Sequence, residues 1–158
     1  MYLAPHTELP PEEQLKELES LSTSELIANT KQLLGKFPNT YTYTKNLCER
    51  LMMARKENLP LCLVRPAIIN TSYSEPFPGW IDSLAAAAAL FLFIGLGIVR
   101  ELKVDLKKIG DIVPVDTVSS MIIVATAYNI QAQQKMPIVQ VGTSDLNPLT
   151  WIEMREEL

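Results

Sequence analysis

Leu61-Cys62-Leu63-Val64-Arg65, closed by Pro66, is a short apolar run set between a polar turn and a proline. Four to eight apolar residues bounded by turn signals read as a strand buried on both faces, as in a parallel sheet. A second run, Ile138–Val141, has the same character. Upstream of the first, Asn39 or Thr40 caps a helix that ends near Asn58 and Pro60. Before it, Ser22 with Glu25 forms a capping box, and Gly35 and Pro38 close the helix that the box opens. Residues 1–11 read as extended, and Glu12–Leu21 as a short acidic helix with Leu15 and Leu18 on one face.

Downstream, residues 70–79 (NTSYSEPFPG) form a loop, with Phe77 and Trp80 expected as buried anchors and Asp82 as a helix cap. Residues 111–116 (DIVPVD) read as a short extended connection, with Asp116 capping an apolar helix from Thr117 to about Ile130. Thr150 and Glu153 make a last capping box. Helix–strand alternation predicts an α/β fold with parallel strands. Two strands are fewer than a stable sheet needs, so the chain reads as part of a domain.

Leu84–Val99 holds sixteen residues without a charge. As a helix it rises about 24 Å, short of a hydrocarbon core of about 30 Å. It is expected as a buried or membrane-surface segment packed against apolar partners, with a single span as the lesser alternative. A core helix is the first reading, and the wall of an apolar tunnel the second.

The chain has 158 residues, a net charge of −4 and 47% apolar residues. This is globular composition without the basic excess that nucleic acid demands. Cys48 and Cys62 make no disulfide framework, which points to an intracellular, reducing compartment. With His6 they form no zinc spacing, and no metal is expected. No signal-peptide pattern stands at the N-terminus.

Tyr41 and Lys45 project from the same side of their helix at i, i+4, in line with Cys48 and Met52. A phenol titrates near about 10, and an ammonium beside it favours the phenolate, which suits it to acid–base work near neutrality. The same lysine can hold a ribose hydroxyl. The spacing alone is a weak signal, since a solvated helix surface with a snorkelling lysine has it too.

Five segments occur in order: PNTYTYTK at 38–45, LVRPAI at 63–68, SEPFPGWIDS at 74–83, DIVPVD at 111–116 and LNPLTWIEM at 146–154. Together they closely resemble the reductase domain of the fatty acyl-CoA reductases, also called male-sterility-type proteins, which are extended short-chain dehydrogenases. The resemblance implies the second half of a Rossmann-like NAD(P)-binding domain, with residues 1–37 as a helical lead-in and 38–158 as the family-like segment. It implies reduction of a long-chain acyl-CoA to a fatty alcohol with NADPH. By the same resemblance Tyr41 is the proton donor and Lys45 binds the nicotinamide ribose. Pro66 lies near the carboxamide, with Ala67 and Ile68 on the same wall. A strand terminator is the structural alternative for Pro66.

The sequence departs from the family pattern in one respect. A dinucleotide site needs a glycine-rich turn after a strand, so that backbone amides meet the pyrophosphate. Glycines stand at 35, 79, 95, 97, 110 and 142, and nowhere form such a turn. The strand that carries the family's active-site serine is absent upstream of Tyr41. The chain alone is therefore not expected to bind NADPH tightly. The expected partners are a chain supplying the glycine-rich half, long-chain acyl-CoA, and a membrane or membrane complex. The alternative is a reductase-derived subunit that has lost catalysis and serves as a scaffold in a larger assembly.

Overall fold

The computed structural model describes residues 9–84, 86–132 and 137–156. His6, and the extended stretch expected at residues 1–8, lie outside them. The chain divides into two compact units, residues 1–59 and 60–158.

The first unit is helical: α1 (Pro11–Ser20), α2 (Thr23–Leu34) and α3 (Thr40–Arg55). Pro11 opens α1 at its first helical position, where a missing N–H costs nothing. Ser22 and Glu25 bond reciprocally as a capping box, and Gly35, at φ +54°, ends α2. Asn39 caps α3 by accepting from the Thr42 amide at 2.9 Å. The inner face of α3 buries Tyr43 and Leu47. Phe37 meets the Tyr43 ring edge-on at 5.5 Å between centroids. The Tyr43 hydroxyl accepts from Gln14 Nε2 at 2.8 Å. Arg50 donates to Gln14 Oε1 and to the Leu9 carbonyl, both at 2.6 Å. A buried glutamine thus holds α1 to α3 with its hydrogen-bonding capacity in use.

The second unit contains β1 (Leu63–Pro66), β2 (Ile68–Asn70), α4 (Ala86–Gly95), β3 (Ile112–Pro114), α5 (Val115–Ala132), β4 (Ile138–Val141) and α6 (Trp151–Glu156). All pairings between these strands are parallel. β1 pairs with β4 in the register Leu63↔Ile138 to Pro66↔Val141, and β2 pairs with β3 from Ile68↔Ile112 to Asn70↔Pro114. β1 and β2 are two halves of one extended run that changes partner at its middle. The amides of Leu63 and Ala67 donate to Pro137 and Val141, whereas that of Ile68 donates to Asp111. Odd residues therefore bond toward β4 and even residues toward β3. Val64 and Pro66 face the β3 side, where no strand among the described residues pairs with β1. Pro66 lacks an N–H, so it sits inside the run without breaking the β4 ladder.

Val113, Val118 and Val141 form the buried core of this unit, with Val64, Ala67, Met121 and Val139 against it. Expected strands and observed strands differ in four ways. β1 begins at Leu63 and not at Leu61, Pro66 does not end the run, β4 exposes Ile138 and Gln140 where burial on both faces was expected, and residues 112–114 are a paired strand holding the fully buried Val113.

Three further expectations are corrected. Phe77 is exposed and not an anchor. Asp82 lies well ahead of the first described residue of α4, Ala86, and is not its adjacent cap. The apolar segment 84–99 buries Ala87 and Ala88 but exposes Leu84, Leu92, Phe93, Leu96 and Ile98, with Leu96 62% accessible. The helix stops at Gly95, and a turn with Gly97 at φ +70° follows it. Among the described residues no helix is long and apolar enough to cross a membrane.

Candidate active site

Because Tyr43 and Leu47 are the buried face of α3, Tyr41 and Lys45 are turned outward. Tyr41 is 68% accessible. The Lys45 ammonium stands over its ring, 5.6 Å from the centroid. The two expected acid–base residues are therefore neighbours on an exposed face, an arrangement that also gives a cation–π contact. Cys48, one turn further along this face, is a free thiol and exposed, and Cys62 is free and half-buried.

Tyr41 and Lys45 belong to the first unit; Pro66, Ala67 and Ile68 belong to the second. These three lie at the junction of β1 and β2, where the run changes partner. Pro66 and Ile68 are exposed, and Ala67 rests on the valine core.

The loop after β2 is held from two sides. The buried Ser72 hydroxyl donates to the Phe77 carbonyl at 2.6 Å and accepts from the Trp80 amide at 3.1 Å. Asp116 accepts from the backbone amides of Tyr73, Ser74 and Glu75 at 3.0, 2.8 and 3.1 Å. These amides, that of Tyr73 foremost, hold the Asp116 carboxyl far below the usual carboxylate range. Asp116 was expected to cap α5. The helix starts at Val115, and besides accepting from the Thr117 amide the carboxylate clamps a loop more than forty residues earlier in the chain. No local sequence signal separates these two uses of an aspartate.

The nicotinamide dinucleotide that the resemblance implies is matched unequally at its two ends by the residues present. An exposed lysine beside an exposed phenol suits the nicotinamide ribose. The pyrophosphate needs a ring of free amides at a strand-to-helix turn. The β3–α5 turn offers Pro114, which has no N–H, and Asp116, which is an anion. Among the described residues no strand-to-helix turn is glycine-rich.

Comparison with known proteins bears on the same residues. Residues 2–122 match the family model of an NAD-binding domain described as Male sterility protein. This chain belongs to that family. The match takes in α1, α2 and α3 and runs on to Ile122, within α5. Among curated relatives, the probable fatty acyl-CoA reductase 5 of Arabidopsis thaliana is 38% identical over 87% of this chain and 27% of its own length. Fatty acyl-CoA reductase 2 of Mus musculus is 36% identical over 91% of this chain and 28% of its own length. Fatty acyl-CoA reductase 1 of Homo sapiens is 36% identical over 79% of this chain and 24% of its own length. The chain spans about a quarter of the length of these relatives. Its parallel strands and helices are consistent with part of a Rossmann-like NAD-binding domain.

Proposed function

We infer that this chain is the tyrosine-bearing part of a fatty acyl-CoA reductase that converts a long-chain acyl-CoA to a fatty alcohol. The observation that carries the reading is the pair Tyr41 and Lys45, adjacent on the open face of α3 in a family whose relatives bear that enzyme's name. NADPH, when bound, would supply one hydride to the thioester and a second equivalent would supply another to the aldehyde, and Tyr41 would regain a proton from solvent between the two reductions. Lys45 holds the nicotinamide ribose and its positive charge assists the neighbouring phenol. Tyr41 gives its proton to the carbonyl oxygen of the thioester, and after loss of the CoA thiol to that of the aldehyde. Pro66, Ala67 and Ile68 line the nicotinamide side.

The glycine-rich half is supplied by a further stretch of polypeptide, one strand of which pairs along the open side of β1 at Val64 and Pro66. Free cysteines suit an intracellular, reducing compartment. The exposed apolar residues at 92–98 suit a membrane surface. The lack of a glycine-rich strand-to-helix turn among the described residues favours a second reading, a scaffold subunit without catalysis.

The test is to co-express the chain with the glycine-rich half of a male-sterility-type domain and follow NADPH oxidation with a long-chain acyl-CoA. Oxidation that Tyr41→Phe abolishes supports the enzyme. A stable assembly that binds NADPH and never oxidises it is the scaffold.

A further inference from the structure

We propose that the cavity between the C-terminal half of α4, the segment 99–106 and α6 holds the alkyl tail of the acyl-CoA thioester. The proposal rests on the reductase reading above and goes further by placing the tail against named residues of this chain.

The cavity measures about 320 Å³, within the size range of small-molecule sites. Its chemistry is uniform. Ile94, Val99, Leu102, Val104 and Leu106 supply aliphatic walls, and Phe91, Trp151 and Met154 close it with flat or flexible apolar surface. The polar residues on it are Arg100, Glu101 and Arg155, all three exposed. Among the described residues no serine, threonine, asparagine, glutamine, tyrosine or histidine lines it. A ligand with hydroxyls, amides or ring nitrogens would lose its water there and gain no hydrogen bond in return. An unfunctionalised hydrocarbon chain loses nothing. Two guanidinium groups against one carboxylate leave the rim positive, which suits an amphiphile with an anionic head. The Arg100 Nε–H donates to the Gly97 carbonyl at 3.1 Å, which fixes one of them to the turn after α4.

Backbone hydrogen bonds join α6 to the segment before β3. The amides of Trp151 and Ile152 donate to the carbonyls of Lys108 and Leu106 at 3.1 and 3.0 Å, and that of Gly110 to Leu149 at 2.9 Å. Ile109 and Thr150 add an antiparallel bridge. α6 and the segment before β3 therefore move as one wall. Met154 lies so close over Gly110 that a Cβ there would overlap its methyl group.

Trp151 is a reporter inside the site, and the other tryptophan is Trp80. In a Trp80→Phe chain, stearoyl-CoA dibrominated at mid-chain should quench Trp151 saturably without NADPH, and CoA alone should not. Val104→Phe, which fills the cavity, should weaken the quenching by about tenfold with an unchanged far-ultraviolet dichroism spectrum. If that variant unfolds, Val104→Leu replaces it, with a smaller weakening in the same direction. Absence of quenching by the thioester, or quenching untouched by a folded Val104 variant, overturns the proposal. Quenching by dibrominated stearate and not by the thioester also overturns it, since the site would then belong to a free fatty acid. Failure of the reductase reading is visible separately. Saturable quenching with no NADPH oxidation in the complete assembly keeps the tail site and retires the activity. Turnover whose KM for long-chain acyl-CoA ignores the Val104 variant keeps the activity and retires the tail site.

Discussion

α3 and α5 are similar in length and opposite in what they turn to water. α3 buries an aromatic and a leucine and exposes a phenol, an ammonium and a thiol. α5 buries Val118, Ala125 and Asn129 and exposes Ile122, Ile123, Val124, Tyr128 and Ile130, with Ile123 71% accessible. The outward face of α3 carries polar groups that stand in solvent. That of α5 is an apolar stripe wider than a lone chain usually shows, and such stripes mark a surface that another piece of protein covers. Exposure alone therefore says little about function. What is exposed decides between a reacting group and a joint.

The sharpest break between the two kinds of surface lies within α3 itself. Tyr41→Phe in the active assembly should cut turnover by about two to four orders of magnitude and leave the thermal midpoint of the chain in place. Steady-state kinetics beside a melting curve measure both. Tyr43→Phe, two residues on, should do the reverse. It strips Gln14 of a buried acceptor and should cost about 1–2 kcal/mol in denaturant unfolding, with kcat per folded molecule unchanged. If Tyr43→Phe lost turnover and Tyr41→Phe did not, the roles assigned to the two faces would be exchanged.

Asp116 gives a milder effect, with a definite pH sign. Its carboxyl titrates lower in the folded chain than in the unfolded one, because three loop amides bond to the ionised form. Its contribution is fully present above the unfolded carboxylate pKa of about 3.9, and fades as pH falls through the lower folded value. Amide exchange at Tyr73, Ser74 and Glu75, corrected for its intrinsic pH dependence, should show steady protection from neutrality to about pH 4 and lose it only in stronger acid. Asp116→Asn should lower that protection at every pH. Uniform protection down to the most acid conditions, or an unaltered Asn variant, would mean that other contacts hold the loop.

The smallest effect is expected on α5. Ile123→Asp in the isolated chain should shift stability by no more than about 0.5 kcal/mol, while reducing light scattering at high concentration. The same change should weaken association with the glycine-rich half. A large loss of stability in the lone chain would show that the stripe is already covered.

Much of the fold is legible in the sequence where the forces are local. The Ser22–Glu25 and Thr150–Glu153 boxes, the Asn39 cap and the Gly35 stop all stand where short-range hydrogen bonding puts them. β2 and β3 were hidden because each is three residues long and prolines at 66 and 114 read as endings. Their pairing spans more than forty residues, and no local pattern encodes it. Gln14 was hidden for the same reason, since its partners Tyr43 and Arg50 lie 29 and 36 residues away. The pairing of Tyr41 with Lys45 followed from helical spacing. The clamp made by Asp116 did not, because it depends on where the strands bring a distant loop. The exposure of 92–98 shows the limit of composition: an apolar run states that cover is needed and does not state whether this chain provides it.

The partner change inside 63–70 makes this run a ruler with a step of two. Inserting one residue between Pro66 and Ile68 would invert one half of the run relative to the other, so only one of the two ladders could keep its match. Inserting two would restore the alternation and cost only slack. Tolerance of length changes here should therefore alternate between odd and even, a signature that a deletion and insertion series would read directly.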